Sequence, residues 1–255
     1  MPTQRVPQSP TTPTTPGVVA AAPTHVVVVL PEDQAACGPA VASQLAPHAG
    51  HHYVPCPAFP VRNVGRRLLR PHRDPLLWQV ARRPDGIWVT AAGPRGRLDL
   101  HTLSRIAGWH AHQRWQAWKT LVASGTTQAR DWESFLTPRP QHHPLPPLDE
   151  LRRQFEAQPR VLAMIAVNAQ RVLPFRFDLD ELAAFQAGEQ VYCTLAAQQA
   201  VVGQLLVLPG GLAYRPVTSS VADRLRYLRA ALDVVEGLHP DRHLVAMTRT
   251  RTDAP

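Results

Sequence analysis

The chain has 255 residues, 44% of them hydrophobic, enough to fill one large core or two small ones, which excludes a wholly disordered or fibrous polypeptide. Its formal charge of +8 points to an acidic partner, while three scattered cysteines, Cys37, Cys56 and Cys193, exclude a disulfide framework and a paired-thiolate metal site. No apolar run approaches the ~18 residues of a membrane span and no basic segment with an apolar core opens the chain, so a cytoplasmic, non-membrane protein with reduced thiols is expected.

Residues 1–23, with TTPTTP followed by VVAAAP, are rich in Pro and Thr and are expected to be a disordered tail. Residues 24–136 are expected to form an N-terminal α+β module. Within it HVVVVL (25–30) reads as a strand, residues 40–46 as a helix that closes in HAGHHYV (48–54), and LLWQVA (76–81) and IWVTAA (87–92) as strands. A turn at GPRG (93–96) leads to a further strand, RLDL (97–100), and then to a long helix over 102–124. TPRPQHHPLPP (137–147) reads as a semi-rigid linker, because closely spaced prolines favour extended backbone and forbid a helix.

Residues 148–238 are expected to form a second α+β module. It opens with an amphipathic helix over 149–158, followed by VLAMIAV (161–167) and RVLPFRF (171–177) as strands joined by a tight turn around Asn168. Asp178 or Asp180 caps a helix that stops at Gly188, and VYCTLA (191–196) and VVGQLLVL (201–208) flank a polar turn. Pro209, Gly210 and Gly211 make the next turn, LAYRP (212–216) is a strand, and Ser220 with Asp223 begins a helix reaching Gly237. Residues 239–255 read as a flexible tail.

The fold class is therefore α+β, two tandem modules of antiparallel sheet with helices packed on it. The unbroken VVVVL run leaves open a parallel α/β arrangement for the N-terminal module. HAGHHYV is echoed by QAGEQVY (186–192), which suggests a divergent duplication. Gly50 and Gly188 are 138 positions apart, whereas Gly93 and Gly210 are 117 apart, so the first copy carries about twenty extra residues. That insertion, 61–75, contains RNVGRRLLRPHRD.

The charge gathers in the same place. Residues 62–114 hold 11 Arg against 3 Asp, and the rest of the chain is neutral. Arg62, Arg66, Arg67, Arg70 and Arg73 fall in the insertion, where a repeated scaffold has no folding use for them, and loops added to a scaffold often carry binding residues. Arg95 and Arg97 extend the group, and backbone N–H groups of GPRG would suit a phosphate. On the helix over 102–124, Leu103, Ala107, Ala111, Trp115, Trp118 and Val122 share one arc, with His110 and Arg114 inside it. Arg114 reads either as a structural hydrogen-bond anchor, the favoured role, or as the lining of a pocket. Trp109 lies outside the arc and either stacks on an unpaired base or packs against the linker or Trp132.

QAACGPA (34–40) resembles the nucleophile segment of papain-like cysteine peptidases, a resemblance that covers seven residues and implies Cys37 as nucleophile. The strand that would supply the partner His has Ile87 and Trp88 instead, which leaves His101 with Asp99 as the pair to test. Histidines at 48, 51 and 52, at 110 and 112, and at 239 and 243 lack a convincing third ligand, so neither metal nor cofactor is expected. The leading expectation is a non-enzymatic nucleic-acid-binding protein, DNA ranked ahead of RNA, using Arg62, Arg66, Arg67, Arg70, Arg73, Arg95, Arg97 and Trp109. The alternatives are a cysteine hydrolase using Cys37 and a scaffold whose basic segment meets an acidic protein. Association with a second copy of the chain stays open.

Overall fold

A strand with no polar side chain must be covered on both faces, and Val26 to Val29 are wholly buried. The computed structural model describes residues 24–32, 34, 36–48, 51–62, 74–137 and 146–250. Its first half contains β1 (Thr24–Val29), α1 (Gly38–Leu45), β2 (His52–Pro55), β3 (Phe59–Pro60), β4 (Ala81–Arg82), β5 (Trp88–Thr90), β6 (Ala92–Pro94), α2 (Leu100–Leu121) and α3 (Glu133–Leu136). The second half contains α4 (Leu148–Glu156), α5 (Pro159–Gln170), α6 (Leu182–Gln186), α7 (Glu189–Val202), β7 (Leu205–Leu208), β8 (Leu212–Tyr214), α8 (Val221–Gly237) and β9 (His243–Thr250). Among the described residues no helix is long and apolar enough to cross a membrane.

The α+β class is observed, but the strands do not separate into two modules. One mixed sheet runs β2-β9-β1-β7-β8, with β6 also paired to β9. Central β1 lies parallel to β7, placing Val26 against Leu205 and Val28 against Val207, and antiparallel to β9, placing Val27 against Ala246. Strands from either side of residues 137–147 thus interleave, and the expected division at that segment is corrected. The parallel neighbour of β1 comes from the far half of the chain, so a local parallel α/β unit is not formed either. A smaller sheet, β3-β5-β4, stands beside the start of α2.

Side chains alternate across the main sheet, as the two-residue strand period requires. Val27, Val29, Leu206, Leu244 and Ala246 face a deep helical layer that includes α2, α7 and α8. Val26, Val28, Leu205, Val207, Val245 and Met247 face a shallow one, where α1 contributes Val41 and Leu45. Helix α2 carries its expected arc inward: Leu103, Ala111, Trp118 and Val122 are buried, and Trp118 stacks on Phe185 at 5.2 Å.

Several expected strands are helices. Residues 161–167 belong to α5, which starts at Pro159, a residue whose fixed φ suits the first helical turn. Residues 191–196 belong to α7, whose Tyr192, Leu195 and Val202 point inward at helical spacing. Residues 171–177 form no strand: Arg171 ends α5 in the left-handed region at φ 53°, and Pro174 follows. Asn168 stays in α5, where its amide donates to Phe177 O and accepts from Phe177 N, both at 2.8 Å, in place of a strand partner. RLDL is no strand: Arg97 closes a 3-10 turn over Arg95–Arg97, Leu98 makes a single bridge to Val61, Asp99 caps α2 and Leu100 begins it. The expected C-terminal tail contains β9, buried through Leu244 to Met247. With these changes the element order that suggested a duplication is no longer repeated. Turn residues at 209–211, strand β8 and the Ser220 cap of α8, which accepts from Asp223 N, are as expected.

Candidate nucleic-acid interface

Residues 1–23 and the expected contacts Arg66, Arg67, Arg70 and Arg73 lie outside the described residues, but the anchors of the basic segment are defined. On one side Val61 bridges Leu98, and Arg62 N–H donates to Arg97 O at 2.8 Å. On the other, Asp74 turns the chain by accepting from Leu76 N and Leu77 N, and Trp78 bridges Ala92. The first anchor grips Arg97 and Leu98, directly before α2, and the second grips Ala92 at the start of β6, so the basic segment leaves the fold at Arg62 beside the start of α2. There Asp99 caps the helix by accepting from Thr102 N at 3.0 Å. Partial burial pushes the Asp99 carboxyl up, but the Thr102 hydrogen bonds and the charges of Arg62 and His101 outweigh it and hold it below the usual carboxylate range.

Arg97 is half-buried beside exposed Arg62, whereas Arg95 is turned to a structural task. Its Nη1 donates to Leu238 O at 3.3 Å, and the N–H groups of Arg95 and Gly96 donate to Arg242 O and Pro240 O. Those two N–H groups are therefore spent on the turn before β9, and the expected phosphate cradle at GPRG is corrected.

The exposed line of α2 begins above this point. His101, Arg105 and Trp109 follow at four-residue steps and all are exposed, Trp109 to 60%. At a rise of 1.5 Å per residue the line covers about 12 Å. Trp109 does not pack on Trp132, which instead meets Phe135 and Phe155; its ring lies 5.1 Å from that of exposed His110. Arg97 and Arg105 are in no ion pair among the described residues.

On the adjoining face of α2 a cleft of about 330 Å³ opens against α7. Arg114 does both things considered for it: it lines the cleft, and it anchors structure by donating through Nη2 to Arg176 O at 3.0 Å and Glu181 Oε2 at 3.2 Å, with Phe175 under its guanidinium. Tyr192 OH also donates to Glu181 Oε2, at 3.1 Å, and burial raises the Tyr192 pKa, so the phenol stays protonated. His25 enters from β1. Its backbone is fixed by Gln204 N–H donating to His25 O at 2.7 Å and by Gly203, whose φ of 75° and lack of Cβ allow the close approach to that oxygen. Burial lowers the His25 pKa against the smaller, opposing effect of the Gln199 backbone, which keeps the imidazole neutral at pH 7. None of His25, Glu181, Tyr192 and Gln199 stands out in the sequence; the one signal is a His opening an otherwise apolar strand.

Opposite, beside α1, two adjoining hollows of about 560 and 410 Å³ share His48, His51 and Tyr53. Cys37 is exposed at the N-cap of α1, and among the described residues no hydrogen bond joins it to a His, while Asp99 is committed to capping α2. Among the described residues no three His, Cys, Asp or Glu side chains gather as metal ligands. No family model, curated protein or solved structure matches the chain.

Proposed function

We propose that the chain binds the phosphate backbone of nucleic acid without catalysis, through a surface that starts at Arg62 and Arg97 and follows the exposed line of α2 to Trp109. The observation that carries this is the attachment of the basic segment beside that line: Arg62 N–H donates to Arg97 O directly before α2, whose outer face then presents His101, Arg105 and Trp109. Phosphates need cations, and unstacked bases need a flat apolar face with little else against it. A Trp exposed to 60% on an ordered helix supplies the second requirement. Arg66, Arg67, Arg70 and Arg73, which follow Arg62 in the chain, are the further cations of this reading, and DNA is the first partner to test.

The test is the shift of a labelled 30-nucleotide strand across a salt series. Five neutralised phosphates give a slope of log K against log salt of about −3.5 on single strands and about −4.5 on duplex. Replacing Arg66, Arg67 and Arg70 together by Ala should flatten the slope by about 2 to 3 with similar loss on all sequences, since backbone contacts carry no base information. Alkylating Cys37 should leave binding intact. A slope unchanged in the triple variant overturns the reading and directs the search to an acidic protein partner.

A further inference from the structure

His25 and Arg114, which line the cleft between α2 and α7, each carry a buried polar atom that the fold leaves unused. His25 Nε2 and Arg114 Nε are shielded from solvent and have no hydrogen-bond partner among the described residues. Buried polar groups are ordinarily paired, so two unpaired ones lining the same cleft call for an explanation. Glu181 adds a third unused position: Oε2 is taken by Arg114 and Tyr192, while Oε1 accepts no hydrogen bond among the described residues.

We propose that this cleft takes a single unstacked nucleobase, guanine ahead of the others, as the base-reading part of the strand-binding surface proposed above. Its volume of about 330 Å³ is at the small end of ligand pockets, of a size for one base rather than a larger ligand. Small side chains, Ala107 and Ala111 from α2 and Ala196 and Ala200 from α7, line it and leave room for a flat ring. With the neutral His25 ring protonated on Nδ1, Nε2 accepts, as does Glu181 Oε1, and Arg114 Nε donates. Guanine offers two neighbouring donors, N1–H and N2–H, to the acceptors, and O6 and N7 to a donor. Along one edge guanine alone presents two donors followed by an acceptor, whereas adenine, cytosine and uracil each present a single donor on that edge, so three groups that meet one base edge favour guanine. At the rim His110 meets Trp109, a platform for the neighbouring base, and Arg224, held to Gln199 Oε1 at 3.3 Å, supplies a cation for phosphate.

Calorimetric titration of the full chain with GMP, AMP, CMP and UMP tests this without any variant. GMP should bind about tenfold or more tightly than the rest, the discrimination of one well-matched bidentate contact. Ala200→Met, which fills the cleft, and His25→Phe, which removes the acceptor, should each abolish that binding while thermal melts still show a folded protein. Equal affinity for all four, or a Kd above about 1 mM for GMP, overturns the base pocket. Salt-dependent binding of the 30-nucleotide strand would then leave the basic surface standing. GMP binding in a protein that does not shift the strand supports the pocket and removes the strand reading instead.

Discussion

Four alanine substitutions in α5 separate helix from strand at the point where sequence pattern and structure disagree most. As a strand, 161–167 would turn Val161 and Ile165 to one face and Leu162 and Met164 to the other. As a helix it buries Val161 and Met164 completely and leaves Leu162 and Ile165 at 51% and 38% exposure. Met164→Ala removes a fully buried side chain and should cost about 3 kcal/mol, within the 2–5 kcal/mol range for such truncations. Val161→Ala removes two methyl groups and should cost about 2 kcal/mol. Leu162→Ala and Ile165→Ala give up partly wet surface and gain helix propensity, so each should stay under about 1 kcal/mol. Urea unfolding reads the differences as shifts in midpoint at constant slope. In thermal melts Met164→Ala should lower Tm by about 6–12 °C, at 2–4 °C per kcal/mol for a protein of this size. An Ile165→Ala cost equal to that of Met164→Ala would refute the helical assignment.

Asn168→Ala deletes both hydrogen bonds to the Phe177 backbone and should cost about 1–3 kcal/mol by urea unfolding; a neutral result would remove Asn168 as the clamp on that loop. Trp109→Ala should weaken single-strand binding by about 1–3 kcal/mol in gel shift while leaving Tm unchanged, whereas a fall in Tm with binding intact would mark the ring as structural. Burial holds the His25 and His243 pKa values below the ordinary 6.5, so between those lowered values and 6.5 the unfolded chain binds more protons than the folded one. Stability should therefore fall on acidification through that window, less steeply in His25→Gln; urea midpoints that rise as pH drops below 6.5 would contradict the burial of these rings.

Sequence by itself determined the elements whose signals are local. The 22-residue α2 shows its arc because one face stays mostly apolar for about five turns; the Ser220 cap and the glycines at 210 and 211 act through their own backbone preferences. Charge was legible for the same reason: five arginines in thirteen residues need no fold to be noticed, and the attachment beside α2 puts Arg62 next to Arg97. Tertiary structure decided the rest. VLAMIAV and VYCTLA are short apolar runs that suit helix and strand alike, and only what covers them selects the helix. HLVAMTRT reads as a tail until β1, more than 200 residues earlier, supplies its hydrogen-bond partners. The cleft is hidden for the same reason: His25, Arg114, Glu181, Tyr192 and Arg224 come from five separate places, and no spacing within any of them records that β1, α2, α7 and α8 meet. Backbone capping and periodicity are properties of neighbours along the chain, whereas pairing and burial exist only between segments that the folded core has brought together.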